Sequence, residues 1–178
     1  MILLILVVKK MRKIYKDEEY MIYVKDILDN NEYKKLKNYK HHGTTRYDHC
    51  IRVSYNSYKI AKKLKLSSLE VARAGLLHDF FLVNNQKISK FERLKVFFTH
   101  PKLALEKSKK QFILNKKEMN IIKSHMFPFG FTFPEYKESI LVNIVDNILF
   151  IYEITNASIL FIVNFIKKFK IKKSILSK

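Results

Sequence analysis

The chain is expected to be all-α, a single helical bundle with its functional site in the interior. Three observations lead there. Its 178 residues hold only three Gly and three Pro, so helix breakers are scarce among many Leu, Ile, Lys and Glu. Apolar positions recur at helical intervals in successive segments. Capping signatures, a Ser, Thr or Asn followed three residues on by Asp or Glu, punctuate those segments. This length is most simply one folding unit with a real core, and no repeat or low-complexity linker marks a second one. The expected division is an N-terminal helical extension over 1–44, a central domain over 45–153, and a C-terminal helix with a basic tail over 154–178.

The first eight residues, Met1 to Val8, are an apolar run followed by Lys9-Lys10. The run is far short of the roughly 20 residues that span a bilayer, and it lacks the basic start and small-residue cleavage site of a secretory signal. A start placed too far upstream, with Met11 as the true start, accounts for it as well as a packed strand or helical turn does. No membrane span is expected, and a cytoplasmic protein is. The single cysteine, Cys50, excludes an internal disulfide and fits a reducing compartment; with no base evident to activate it, it reads as a small core residue.

Taken in order, Tyr20, Tyr23, Val24, Ile27 and Leu28 predict a helix over 17–29, and a shorter one is expected over 32–39. His41-His42-Gly43 breaks the pattern. Thr45 then caps a helix to about Lys65, with Asp48 at the third position of a capping box. Ser67 and Glu70 form the same signature before the helix that delivers His78 and Asp79. A short helix is expected over 90–98. Thr99-His100-Pro101 reads as a fresh helix start, with proline tolerated at the first position and His100 near the cap. Asn115 to Glu118 opens the next helix, which ends near His125 because Pro128 follows. An aromatic loop surrounds Gly130, a helix runs from Pro134 through Glu153, and a further apolar helix is expected over 157–169.

The formal net charge of +19 invites a polyanionic partner. The excess is nearly all lysine, spread along the whole chain, so a solvated basic surface is the simpler reading. Nucleic-acid binding is possible but not favoured, and any such attraction should weaken with salt.

His49, His78, His100, His125 and Asp146 follow one another at intervals of 29, 22, 25 and 21 residues. Each interval is about one helix plus a connection, so successive helices can aim them into one interior site. Asp79 stands beside His78 after the apolar Leu76-Leu77, and Asp146 lies on a largely apolar helix face. A buried carboxylate needs a cation or hydrogen-bond donors. Imidazole with carboxylate suits first-row transition metals such as Fe, Mn, Co, Ni or Zn.

The pattern His49 … His78-Asp79 … Asp146 resembles the HD-domain superfamily of metal-dependent phosphohydrolases. Tyr47-Asp48-His49-Cys50 with Ala74-Gly75-Leu76-Leu77-His78-Asp79 is similar to a group of small bacterial HD proteins. The likeness covers about Thr45 to Glu153, and His100 and His125 match the extra histidines of members that hold two metals. It implies an HD-domain helical bundle in which His49, His78, Asp79 and Asp146 hold one ion. His100 and His125 would hold a second, with Asp79 bridging. It further implies a catalytic role for Asp79 and His78 and one or two divalent ions as cofactor. Water acidified at the metal to hydroxide would then hydrolyse a phosphate ester or nucleotide. Arg46 and Arg52, flanking His49, are candidates to hold the substrate phosphate. One departure stands out: many members follow His-Asp with Ile-Gly-Lys, and this chain has Phe80-Phe81-Leu82, without the lysine. A two-iron oxygenase similar to inositol oxygenase, and a non-catalytic module binding nucleotides or RNA, are the alternatives that the same residues permit.

Overall fold

A computed structural model describes residues 14–41, 43–83 and 88–176, with side chains as far as residue 158. The apolar run at Met1 to Val8 and the loop at Asn84 to Gln86 lie outside the described residues. Asp17 accepts the Tyr20 N–H and starts α1 (Glu18–Asp29). Asn30 caps α2 (Asn31–Lys34), which tightens into a 3₁₀ turn over Lys35–Asn38. The segment expected as one short helix over 32–39 is therefore two kinds of turn. The only extended pairing among the described residues is a two-residue antiparallel ladder, Lys40–His41 against Thr44–Thr45. Gly43 makes its turn at φ +83°, a conformation that costs a side-chain-bearing residue dearly.

Five helices build the body: α3 (Arg46–Lys63), α4 (Ser68–Leu77), α5 (Lys90–Gln111), α6 (Lys116–Ser124) and α7 (Lys137–Leu176). Helices α3 and α4 form the centre, in closest contact where Gly75 meets Ser54. A Cβ on Gly75 would lie 2.8 Å from the Ser54 Cα, so the helical glycine is required by packing. Ser54 Oγ donates to the Ala72 carbonyl at 2.6 Å and is joined by the Tyr20 hydroxyl at 2.8 Å. Around this contact Ile51, Val53, Cys50, Val71, Leu76, Ile121 and Val142 are buried in one core.

Three helix boundaries depart from the sequence expectation, each for a local reason. The segments expected as separate helices over 90–98 and from Pro101 are one helix, α5. Proline removes the N–H that would bond the Phe97 carbonyl four residues back. The His100 ring replaces it, with Nδ1 donating to that carbonyl at 2.8 Å. The helix begins instead at Ser89, in a full capping box with Glu92. Ser67 makes no side-chain cap on α4. Glu138 of α7 accepts the Ser67 N–H at 3.1 Å, the task Glu70 would have in a capping box, and Lys117 ties Glu138 and Ser67 together. Finally, α7 begins at Lys137 and continues unbroken to Leu176, where two helices were expected. Thr155, Asn156 and Ser158 do not interrupt it because their side chains bond back to the carbonyls four residues earlier.

The stretch Lys137–Ser158 of α7 is long and apolar enough to cross a membrane by length and composition. Its inward face is nevertheless committed to the core through Leu141, Val142, Val145 and Leu149, with Glu138 and Glu153 buried on it.

Candidate metal centre

Three histidines are presented by one repeated local device. His78, His100 and His125 each turn the ring back along their own helix, and Nδ1 donates to the carbonyl three residues earlier. The acceptors are Gly75, Phe97 and Ile122, each at 2.8 Å. For His78 and His125 the acceptor is a last-turn carbonyl that the helix itself cannot satisfy; for His100 it is the one that Pro101 orphans. A carbonyl only accepts, so Nδ1 carries the hydrogen, and in the neutral ring Nε2 keeps its lone pair. All three Nε2 atoms then face the same interior space. Tyr33 reinforces the end of α4 by donating its hydroxyl to the Leu76 carbonyl at 2.9 Å.

His49, in the first turn of α3, is held differently. Its Nδ1 meets Glu153 Oε2 at 3.0 Å and its Nε2 meets Asp146 Oδ1 at 2.9 Å. The His78 Nε2 stands 3.5 Å from the same Asp146 oxygen. On the other side, Asp79 Oδ1 lies 3.3 Å from His100 Nε2 and 3.8 Å from His125 Nε2. All six candidates, from α3, the end of α4, α5, α6 and α7, thus stand around one space. Two sets could each embrace an ion, His49–His78–Asp79 and Asp79–His100–His125, with donor atoms in each within 4.8 Å of one another. Asp79 belongs to both.

The donor set fits a cation by its own electrostatics. His100 Nε2 and His125 Nε2 are 2.9 Å apart. In neutral rings with both Nδ1 atoms carrying hydrogen, that places two lone pairs face to face, an arrangement that a cation between or beside them stabilises. Protonating His125 is not the remedy, since burial, with His100 and His78 close by, lowers its pKa to about 3. Two nitrogens bound about 2.1 Å from one ion at right angles would lie about 3 Å apart, close to the observed separation. The buried His78 Nε2 makes only a long, 3.5 Å approach to Asp146.

The other half of the site carries the negative charge. Burial opposes the charged form of His49, but Asp146 and Glu153 outweigh it and raise its pKa to about 10. Burial also works against ionised Asp146, and the neighbouring His78 and His49 still hold it well below the usual carboxylate range. His78 is raised despite burial by Asp146 and Asp79.

Glu153 is the residue that sequence reading passed over as the end of a helix. It is only 5% exposed. The signal available was its spacing: seven residues beyond Asp146, it lies on the same helix face two turns on. Arg52, expected to hold a substrate phosphate, is committed elsewhere. Its guanidinium donates to Thr44 Oγ1 at 2.8 Å and pairs with Glu153 Oε1 at 3.0 Å, so it braces Glu153 instead of bordering the cavity. Arg46 does border the cavity. It donates to the Phe81 carbonyl at 2.6 Å and lies 3.7 Å from the centre of the Phe81 ring. The tripeptide after His78-Asp79 brings no lysine of its own, and an arginine from α3 supplies a cation beside it. Burial lowers the Arg46 pKa, and Asp79 acts in the opposite sense. Cys50 is buried, and burial with the Asp79 charge pushes its thiol well above the ordinary value, which leaves it a core residue.

A cavity of about 340 Å³ opens from the cluster towards solvent, in the size range of small-molecule sites. No curated protein and no solved structure matches this chain. The HD-domain family model matches residues 46–150, the span that contributes all six clustered side chains, and the chain belongs to the HD-domain family.

Proposed function

We propose that the protein is a metal-dependent phosphohydrolase that cleaves a phosphate ester or nucleotide at a centre of two divalent ions. The observation that carries this reading is the confrontation of the His100 and His125 lone pairs beside Asp79, which a second cation would relieve alongside one held by His49, His78 and Asp146. In this reading His49, His78, Asp79 and Asp146 hold one ion, and Asp79, His100 and His125 the other. Fe, Mn, Co, Ni and Zn all suit these ligands. Divalent ions there supply Lewis acidity, acidifying water and offsetting charge on phosphoryl oxygens.

The protein's own contribution is orientation. The carbonyl bonds at Gly75, Phe97 and Ile122 fix three imidazoles with Nε2 inward, and Glu153 fixes the fourth through Nδ1. Such partners typically govern metal affinity nearly as strongly as the ligands themselves. Arg46, held against Phe81, keeps a positive charge at the cavity wall where a phosphate would enter. Asp79 carries the reading most heavily because it faces both ion positions.

Two measurements test this. Protein loaded with manganese under anaerobic conditions is expected to release phosphate or nucleoside from a panel of phosphate esters and nucleotides. Activity that arises only with iron and dioxygen would overturn the hydrolase reading in favour of oxygenase chemistry. Asp79→Ala is expected to lose turnover and retained metal while its helical circular dichroism stays intact; undiminished metal content and activity would remove Asp79 from the centre.

A further inference from the structure

The wall of the cavity between the metal cluster and solvent is built of Val96, Phe97, Met126, Phe129 and Phe150. Polar groups on that route are few. Asn147 donates one amide hydrogen to the Asn143 carbonyl and keeps its Oδ1 as an acceptor, and Arg46 is bonded to the Phe81 carbonyl. Arg93, exposed at the mouth, offers a cation but no acceptor. A nucleobase edge or a sugar needs several hydrogen-bond partners of both kinds on such a wall, more than the one exposed amide of Asn147 supplies, since a site selects polar groups by pairing them. An apolar wall selects an apolar group.

The same character continues outside the mouth. From Lys90 to Thr99 helix α5 buries no side chain, its first buried residue being His100, and Phe97, on the side of this arm that lines the cavity, is 43% exposed. The loop over 127–133 exposes Phe129, Phe131 and Phe133, of which Phe129 lines the cavity. That loop is pinned in place: Asn143 donates to the His125 and Phe127 carbonyls, and Asn120 to the Phe133 carbonyl. The exposed rings are therefore presented by anchored backbone. Phe97 and Phe129, exposed rings on the wall of a cavity that ends at a polar His–Asp cluster, mark a binding surface.

We infer that the substrate class is an amphiphilic phosphate ester, whose phosphate end meets the His–Asp cluster while an apolar chain lies between Phe97 and Phe129. The phosphate end rests on the hydrolase reading given above; the apolar end rests on the wall alone. The basic surface suits the anion, and Arg93 stands at the entrance for it.

The test compares equilibrium binding of octylphosphonate, below its micelle concentration, with that of methylphosphonate, by calorimetry on manganese-loaded protein. Burying a methylene multiplies affinity about fourfold, so seating three of the seven extra methylenes gives about a 50-fold preference for the octyl compound. In Phe97→Ala with Phe129→Ala that ratio falls at least about tenfold; both side chains are largely exposed, so the fold survives, and an unchanged melting temperature checks it. Equal affinity for the two phosphonates, or a ratio untouched by the double variant, overturns the inference.

Turnover of octyl phosphate, methyl phosphate, AMP and glucose 6-phosphate separates the two readings. Octyl preference in binding with no ester hydrolysed removes the hydrolase and leaves the amphiphile site standing. Hydrolysis that favours AMP or the sugar without regard to chain length removes the amphiphile and leaves the hydrolase. Phosphatidylcholine vesicles carrying phosphatidic acid, against vesicles of equal charge made with phosphatidylserine, identify the source. Selective binding to the former points to a membrane lipid, and its absence alongside the octyl preference points to a soluble amphiphile; either upholds the inference.

Discussion

At the scale of single residues, the site depends on where each imidazole hydrogen goes. Three are tied to backbone carbonyls, which are part of helix geometry and resist mutation. The fourth depends on the Glu153 side chain, and Glu153 depends on Arg52. Glu153 is a positioning residue: it touches His49 Nδ1 and not the space where ions would sit. Glu153→Gln removes the charge that stabilises the hydrogen on that nitrogen and leaves Arg52 buried without its partner. The expected result is a 10- to 100-fold loss of manganese affinity with the helical fold retained, measured by competition with a chelating dye. Unchanged affinity would mean that His49 is positioned by packing alone. Gly75 is the second residue on which placement depends. Gly75→Ala is expected to destabilise the protein by about 1–3 kcal/mol through overpacking against Ser54, seen as a lower urea midpoint; an unchanged midpoint would show that α3 and α4 can separate freely.

At the scale of elements, the ends of helices matter more than their middles. His78 and His125 follow the last residues of α4 and α6, where unpaired carbonyls are available to hold a ring. The start of α4 is secured from outside, by Glu138 and Lys117. Burial opposes the ionised Glu138, but Lys117 and the Ser67 N–H more than offset it and lower its pKa from 4.5. A depressed carboxylate contributes stability above its unfolded pKa and loses it as pH falls through the folded value. Glu138→Gln is therefore expected to cost about 1.5–3 kcal/mol at pH 7. The difference from the parent should shrink as pH drops below 4.5, followed by urea denaturation across pH. A difference constant with pH would assign the effect to shape instead of charge.

The helical reading of the chain was legible in its composition and periodicity, because those report burial on one face of a helix. The spacing of the clustered side chains was legible for the same reason: with each on or just after its own helix, and Asp79 beside His78, the interval is a helix length. What misled were local rules with a tertiary override. Pro101 reads as a boundary unless one knows that His100 will satisfy Phe97. Ser67 and Glu70 read as a capping box unless Glu138, on a helix more than sixty residues later, takes the bond. Arg52 reads as a phosphate clamp because nothing beside it in sequence reveals that Glu153 will claim it.

At the scale of the whole molecule, the central claim is that helices α3 to α7 enclose a centre for two ions that share Asp79. Its basic surface adds a separate, sequence-blind attraction to polyanions, which should fade as salt rises while metal content stays constant. The most direct measurement is the number of manganese ions bound per chain at saturation, by elemental analysis after anaerobic loading, for the parent and for His100→Ala with His125→Ala. Two ions in the parent and one in the double variant, both with the same helical spectrum, is the expected result. One ion in each would contradict it, and would leave His100 and His125 as ordinary core histidines beside a single-ion site.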